Sequence, residues 1–243
     1  MTNTKINSVA LMLLATKALQ IKKTSNKQKD TKKRTCHHTA ADPIRDEQDI
    51  LKAKEWFLNQ PQRYRNSNLN LRNYLLFTIS INLGRRIDDT RNLTIGDFVN
   101  PDGTYKTHLE IVEGKTQKTT RILINKAIQE FLPLYIDKDS PLSEYLFQSR
   151  TKNKKEGFDP RMTPRRVNDL YQQMAKEVGI PGHISTHSTR KTAVYRMIQK
   201  GSNDIRTLIN VQKFCNHSNF STTLRYAGIQ QDEIDDLCRN INI

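Results

Sequence analysis

Hydrophobic positions along this chain change period several times, and each change marks an element. Leu71, Leu75 and Ile79 recur at helical spacing in LNLRNYLLFTISINLGRR, and the apolar residues between them predict a buried helix. Gly84 follows as its stop, because glycine enters the left-handed backbone region without a Cβ clash. The period then drops to two: Tyr105, Thr107, Leu109 and Ile111 alternate with polar neighbours, EGKTQK supplies a turn, and TTRILI returns. Residues 104–124 therefore read as a β-hairpin or short meander. Helical patterns resume in TPRRVNDLYQQMAKEVG, where Thr163 is the expected N-cap, Pro164 the first helical residue and Gly179 the stop. Further helices are expected over 187–200, capped by Ser185 or Thr186 and closed by Gly201, and over 203–214, 221–227 and 231–241. The whole pattern predicts a mainly helical α+β fold with a small antiparallel hairpin or sheet.

The first forty residues have a different texture. A short apolar segment from Ile6 to Leu19 is expected to form one amphipathic helix, but its apolar run VALMLLA is far below the ~20 residues of a membrane span. Lys17 follows at once and no A-x-A cleavage site appears, so neither a membrane segment nor a secretory leader is expected. IKKTSNKQKDTKKRT comes next, and residues 1–40 hold nine of the chain's 40 Lys and Arg but one of its 25 Asp and Glu. Residues 1–41 are thus expected to be a basic, disordered tail suited to phosphate contact, or simply a solvated linker, with 42–243 as the globular domain.

Charge narrows the choice of partner. A formal charge of +15 on 243 residues is the electrostatic footprint of a protein that holds a polyanion, and nucleic acid is the leading candidate. The plainer readings are a soluble basic protein or one that visits anionic membrane surfaces. Three cysteines, Cys36, Cys215 and Cys238, are an odd number without framework spacing, which points to a reducing, cytoplasmic location. The CHH at 36–38 has no second cluster at ligand spacing, and there is no phosphate-binding glycine loop, so no metal or cofactor is expected.

Four short stretches carry candidate chemistry: GRRIDDTRNLTIGDF after the buried helix, EGKTQKTTRILI in the hairpin, HSTR at the start of a helix and NHSNFSTTLRY near the C-terminus. In these motifs the chain resembles the phage-integrase family, the tyrosine site-specific recombinases, over about residues 42–243. The family's pattern falls in order on Arg86, Lys115, His187 with Arg190, His217 and Tyr226. Each residue alone has a bland explanation, since Arg86 could pair with Asp89, Lys115 could decorate a turn and Tyr226 could be a core ring. Their joint order is what carries the resemblance. Departures are Arg85 where an apolar residue is common, Asp89 for the usual glutamate, a shorter brace for Arg86, Lys191 where histidine is frequent, and CNH for L-G-H. Asn216 in the last motif is tolerable because asparagine visits left-handed backbone more readily than most residues.

The resemblance implies the tyrosine-recombinase catalytic fold and a set of roles that phosphodiester chemistry explains. Guanidinium forks suit the charge that builds on non-bridging phosphate oxygens, a task for Arg86 and Arg190. Tyr226 is the implied nucleophile, His187 its proton acceptor, Lys115 the acid for the leaving 5′-oxygen, and His217 a donor to a non-bridging oxygen. A 3′-phosphotyrosyl intermediate preserves the bond energy, so rejoining needs neither ATP nor metal. Double-stranded DNA is the implied partner, with a homotetramer on paired sites, and integration, excision or inversion of a DNA segment as the outcome. The usual helical core-binding domain is not found upstream; the tail is read as its remnant, with an accessory DNA-binding protein as a further expected partner. Two other readings stand beside this one: a type IB topoisomerase-like relaxase, and a non-catalytic basic DNA-binding protein. The stripe Ile234, Leu237 and Ile241 either packs on its own domain or, as in relatives, docks on a neighbouring protomer.

Overall fold

In the computed structural model, the residues described are 41–61, 68–115, 117–137, 139–149, 158–201, 204–227 and 239. The expected helix at 6–19, the lysine run, the CHH triplet and, apart from Arg239, the 231–241 stripe lie outside them.

Helix α1, Glu47–Leu58, starts at Asp46, whose side chain accepts from the Gln48 backbone N–H. Its apolar Ile50, Ala53 and Phe57 are buried, and they face α2, Leu69–Leu83, the helix predicted from its apolar run. Residues 74–81 of α2 are buried around the whole circumference, so this helix is the centre of the fold. Phe77 packs between Phe57, with ring centroids 5.2 Å apart, and Tyr171, 5.6 Å away and edge-on. The buried Tyr171 hydroxyl is satisfied by Ser80 Oγ at 3.2 Å.

At Gly84 the backbone turns left-handed, φ 59°, ending α2 as predicted. A Cβ there would stand 3.0 Å from Ala193 Cβ and 3.2 Å from the Phe214 ring, so the position demands glycine for close approach as well as for its turn. The short helix α3, Ile87–Arg91, follows.

The hairpin is present: β1, His108–Val112, pairs antiparallel with β2, Thr119–Leu123. Leu109 opposes Ile122 and both are buried, whereas Glu110 opposes Arg121 on the outer face. Tyr105 and Thr107, expected in the alternation, precede β1, and Tyr105 pairs with Val99 in an isolated bridge. Two short helices, α4 (Lys126–Gln129) and α5 (Leu132–Tyr135), then lead to α6, Pro164–Val178. Thr163 caps α6 by accepting from Arg166 N–H and Gly179 closes it at φ 80°, as expected. Next come α7, Thr186–Lys200, α8, Ile205–Phe214, and α9, Phe220–Ala227. Gly201 closes α7 at φ −94° rather than in the left-handed region.

Helix α7 packs on α2, and α8 and α9 pack on α7 and on each other. A main core surrounds α2, while Val194, Ile198, Val211 and Cys215 form a smaller core beneath α9. The segment before α1 is tied to α7: Ile44 N–H donates to Thr192 Oγ1 at 2.8 Å, and Asp42 and His183 exchange bonds of 2.9 Å. Among the described residues no helix is long and apolar enough to cross a membrane.

Candidate active site

The α2–α3 break aims two adjacent arginines in opposite directions, as extended backbone must. Arg85 turns inward and its side chain is completely buried; Arg86, the N-cap of α3, keeps its side chain 28% exposed. Of the pair, Arg86 is the one whose side chain keeps surface that solvent can reach.

Both arginines share one carboxylate, and it is not the expected one. Glu113, fully buried just after β1, receives Arg85 Nη1 at 2.6 Å and Arg86 Nη1 at 2.7 Å. Asp89, anticipated as the brace for Arg86, instead accepts from Gly114 N–H at 3.0 Å through Oδ1. It therefore ties α3 to the turn that carries Lys115. Glu113 had a readable signal. It continues the inward register Leu109, Ile111, Glu113, and a charge in an inward position requires a partner.

The first turn of α7 is fixed by a capping box in which Ser185 and Ser188 exchange side-chain and backbone bonds. His187, Arg190 and Lys191 are three and four residues apart and so share a helix face. Arg190 is almost wholly buried; its Nη1 donates to Gly84 O at 2.9 Å and its Nη2 to Cys215 O at 2.7 Å, which leaves further donors of the fork uncommitted by these bonds.

Tyr226, on α9, lies against that face. Its hydroxyl is hydrogen-bonded to His187 Nε2, across 39 residues of sequence. The His217 ring stands 4.9 Å from the tyrosine ring, and Lys191 Nζ lies 5.7 Å from the ring's centre. His217 follows Asn216, whose φ of 52° is the left-handed conformation expected of it. Asn216 Nδ2 also bridges Glu113 Oε1 at 2.9 Å and Thr120 Oγ1 at 2.7 Å. The buried Thr223 bonds His217 Nδ1 at 3.0 Å, and a hydroxyl donating there leaves the neutral ring's proton on Nε2. Thr223 was not anticipated; a threonine one turn before the tyrosine is too common a residue to signal that contact.

Electrostatics favour neutral imidazoles. Burial first, then Arg190, Lys191 and Arg86, lowers the pKa of His187. Burial and the arginines lower that of His217 to about 4. Burial raises the Tyr226 phenol above its ordinary value, with Arg190 and Arg86 acting against that rise. A protonated phenol thus faces a neutral imidazole, the correct pairing for a proton to pass from oxygen to nitrogen.

Of the six predicted site residues, the structure joins Arg86, His187, Arg190, His217 and Tyr226 through direct or carboxylate-mediated contacts and shared charge. Lys115 stands exposed in the β1–β2 turn, and none of these contacts includes it.

Comparison with known proteins places this geometry in context. Residues 54–233 match the model of the phage integrase family. The chain is 34% identical over 190 residues to a probable integrase/recombinase, YoeC, of Bacillus subtilis, covering 78% of this chain and 91% of the relative. It is 29% identical over 160 residues to the tyrosine recombinase XerA of Pyrococcus horikoshii, covering 66% of this chain and 51% of that one. Its fold resembles that of the XerH site-specific recombinase in a pre-cleavage complex with its difH substrate, with a TM-score of 0.57 at 19% identity over 89% of this chain and 60% of that chain. The chain therefore spans most of the Bacillus relative but about half of XerA.

Proposed function

The chain belongs to the phage integrase family, and from that membership we propose that it is a site-specific DNA recombinase that cuts and rejoins double-stranded DNA through Tyr226. The observation that carries the proposal is the Tyr226 hydroxyl held by the His187 imidazole within one chain, beside Arg86, Arg190 and His217. Nothing needs to be delivered by a neighbouring subunit for nucleophile and acceptor to meet.

In the reaction, Tyr226 Oη forms a bond to the scissile phosphorus as the bond from phosphorus to the 5′-oxygen breaks. The phenolic proton passes to His187 Nε2. Lys115, exposed in the β1–β2 turn, donates a proton to the departing 5′-oxygen. Arg86 and Arg190 hold the non-bridging oxygens, where charge accumulates, and His217 donates to one of them from Nε2. The 5′-hydroxyl of a second strand then attacks the phosphotyrosine, giving its proton to the neutral Lys115, as the bond to Tyr226 breaks and the phenol recovers its proton from His187. Strand exchange requires two such sites side by side, hence a tetramer on paired duplexes, and the basic residues of 1–41 add phosphate contacts, with an accessory DNA-binding protein completing the grip.

Nicked suicide duplexes made from the DNA that the chain retains in cells test this reading. Wild type should leave a covalent protein–DNA adduct on a denaturing gel and Tyr226→Phe none. Absence of the adduct in wild type refutes the proposal, and relaxation of supercoils without exchange between paired sites would make the enzyme a relaxase.

A further inference from the structure

The Arg85–Glu113–Arg86 cluster is unusual in its charge balance: one buried carboxylate between two guanidiniums. Burying an ion is costly unless its partners are well placed, so such a group persists where its position matters. Arg85 cannot serve a substrate. All three of its guanidinium nitrogens are committed, Nε to Leu83 O at 3.1 Å, Nη1 to Glu113 at 2.6 Å and Nη2 to Phe214 O, and the group lies over the Phe214 ring. What it supplies to the site is charge.

We infer that Glu113 is a positioning residue for strand cleavage: it fixes the guanidinium of Arg86, while Arg85 neutralises Glu113 so that Arg86 meets the scissile phosphate as an uncompensated cation. The inference rests on the recombinase reading. With Arg85 absent, Glu113 and Arg86 would form a closed neutral pair and the clamp would lose most of its attraction for the phosphate. The same carboxylate accepts from Asn216, the neighbour of His217, and stands two residues before Lys115 in the turn that Gly114 anchors to Asp89. One anion therefore registers the three segments that carry Arg86, Lys115 and His217.

A double-mutant cycle between Glu113→Gln and Arg86→Ala tests the inference, with full-length protein and the suicide duplexes described above. Single-turnover cleavage at saturating DNA, the DNA Kd and the thermal melt are measured for each variant. Glu113→Gln should slow cleavage about 10–100-fold, somewhat less than the loss of a transition-state donor itself, with Kd changed by less than about threefold. In the Arg86→Ala background the same substitution should change the rate by less than about twofold, because its effect passes through Arg86. Equal losses in both backgrounds, or a loss confined to Kd, overturn the inference. Should Glu113→Gln fail to fold, Arg85→Met/Glu113→Gln removes both buried charges and is taken through the same cycle with the same expectations. A wild-type chain that forms no adduct overturns the recombinase reading as well; an active wild type with additive losses overturns the role of Glu113 alone.

Discussion

Replacing Asn216 by glycine and, separately, by alanine divides what its side chain does from what its backbone does. The side chain makes two bonds, to the buried Glu113 carboxylate at 2.9 Å and to Thr120 at 2.7 Å. A bond to a charged acceptor contributes about 1.5–3 kcal/mol and a neutral one about 0.5–1.5, so Asn216→Gly should cost roughly 2–4 kcal/mol. Glycine accepts φ 52° without strain. Alanine loses the same two bonds and also pays for a left-handed backbone, which places it about 1 kcal/mol below glycine. At roughly 2–4 °C per kcal/mol for a domain of this size, the glycine variant should melt about 5–15 °C below wild type and the alanine variant lower still. Urea and thermal unfolding, followed by circular dichroism, measure both. An alanine variant as stable as the glycine one refutes the backbone argument, and two variants within about 0.5 kcal/mol of wild type refute the bridge to Glu113.

Stability should fall as pH drops from about 6.5, the ordinary histidine value, because the folded chain holds both site histidines below it and the unfolded chain binds more protons. For His217 that window extends down to about 4, and His217→Gln should flatten the decline of Tm between pH 6.5 and 5; parallel curves would show that burial and the neighbouring Arg190, Arg86 and Arg85 do not depress this ring as described. Lys115→Ala should reduce cleavage by about 10²–10⁴-fold if the lysine is the acid for the leaving oxygen, and a bridging 5′-sulfur, which leaves without protonation, should restore most of it. Equal loss with oxygen and sulfur would assign Lys115 to binding instead.

Local signals in the chain were strong where physics is local. The apolar stretch before Gly84, the Thr163 and Gly179 boundaries, the Ser185 cap and the left-handed Asn216 all follow from a few neighbouring residues, and each has the predicted structure. Helix α1 is equally legible, with Ile50, Ala53 and Phe57 at spacings of three and four. The partner of Arg86 is a different kind of fact. Glu113 lies 27 residues away and meets it only because β1 ends beside the α2–α3 break, so spacing pointed to nearby Asp89 and geometry chose otherwise. Order along the chain can nominate residues for a site; it cannot say which carboxylate braces which guanidinium.

The arrangement of the two cores gives that distinction mechanical weight. Arg86 follows α2 in the main core, whereas Tyr226 packs on the smaller core of Val194, Ile198, Val211 and Cys215, and Phe214 touches both. Besides α7 and the Phe214 ring, the described residues join them through polar contacts: Arg85 to Phe214 O, Arg190 to Gly84 O and Cys215 O, Asn216 to Glu113. Arg190 is thus both a strut and a candidate phosphate clamp, and the distance from nucleophile to clamp is held by hydrogen bonds of fixed length as well as by apolar packing. A misplacement of about 1 Å can cost roughly 10²-fold in rate, so loosening a strut should damage cleavage far more than its share of the folding energy would indicate.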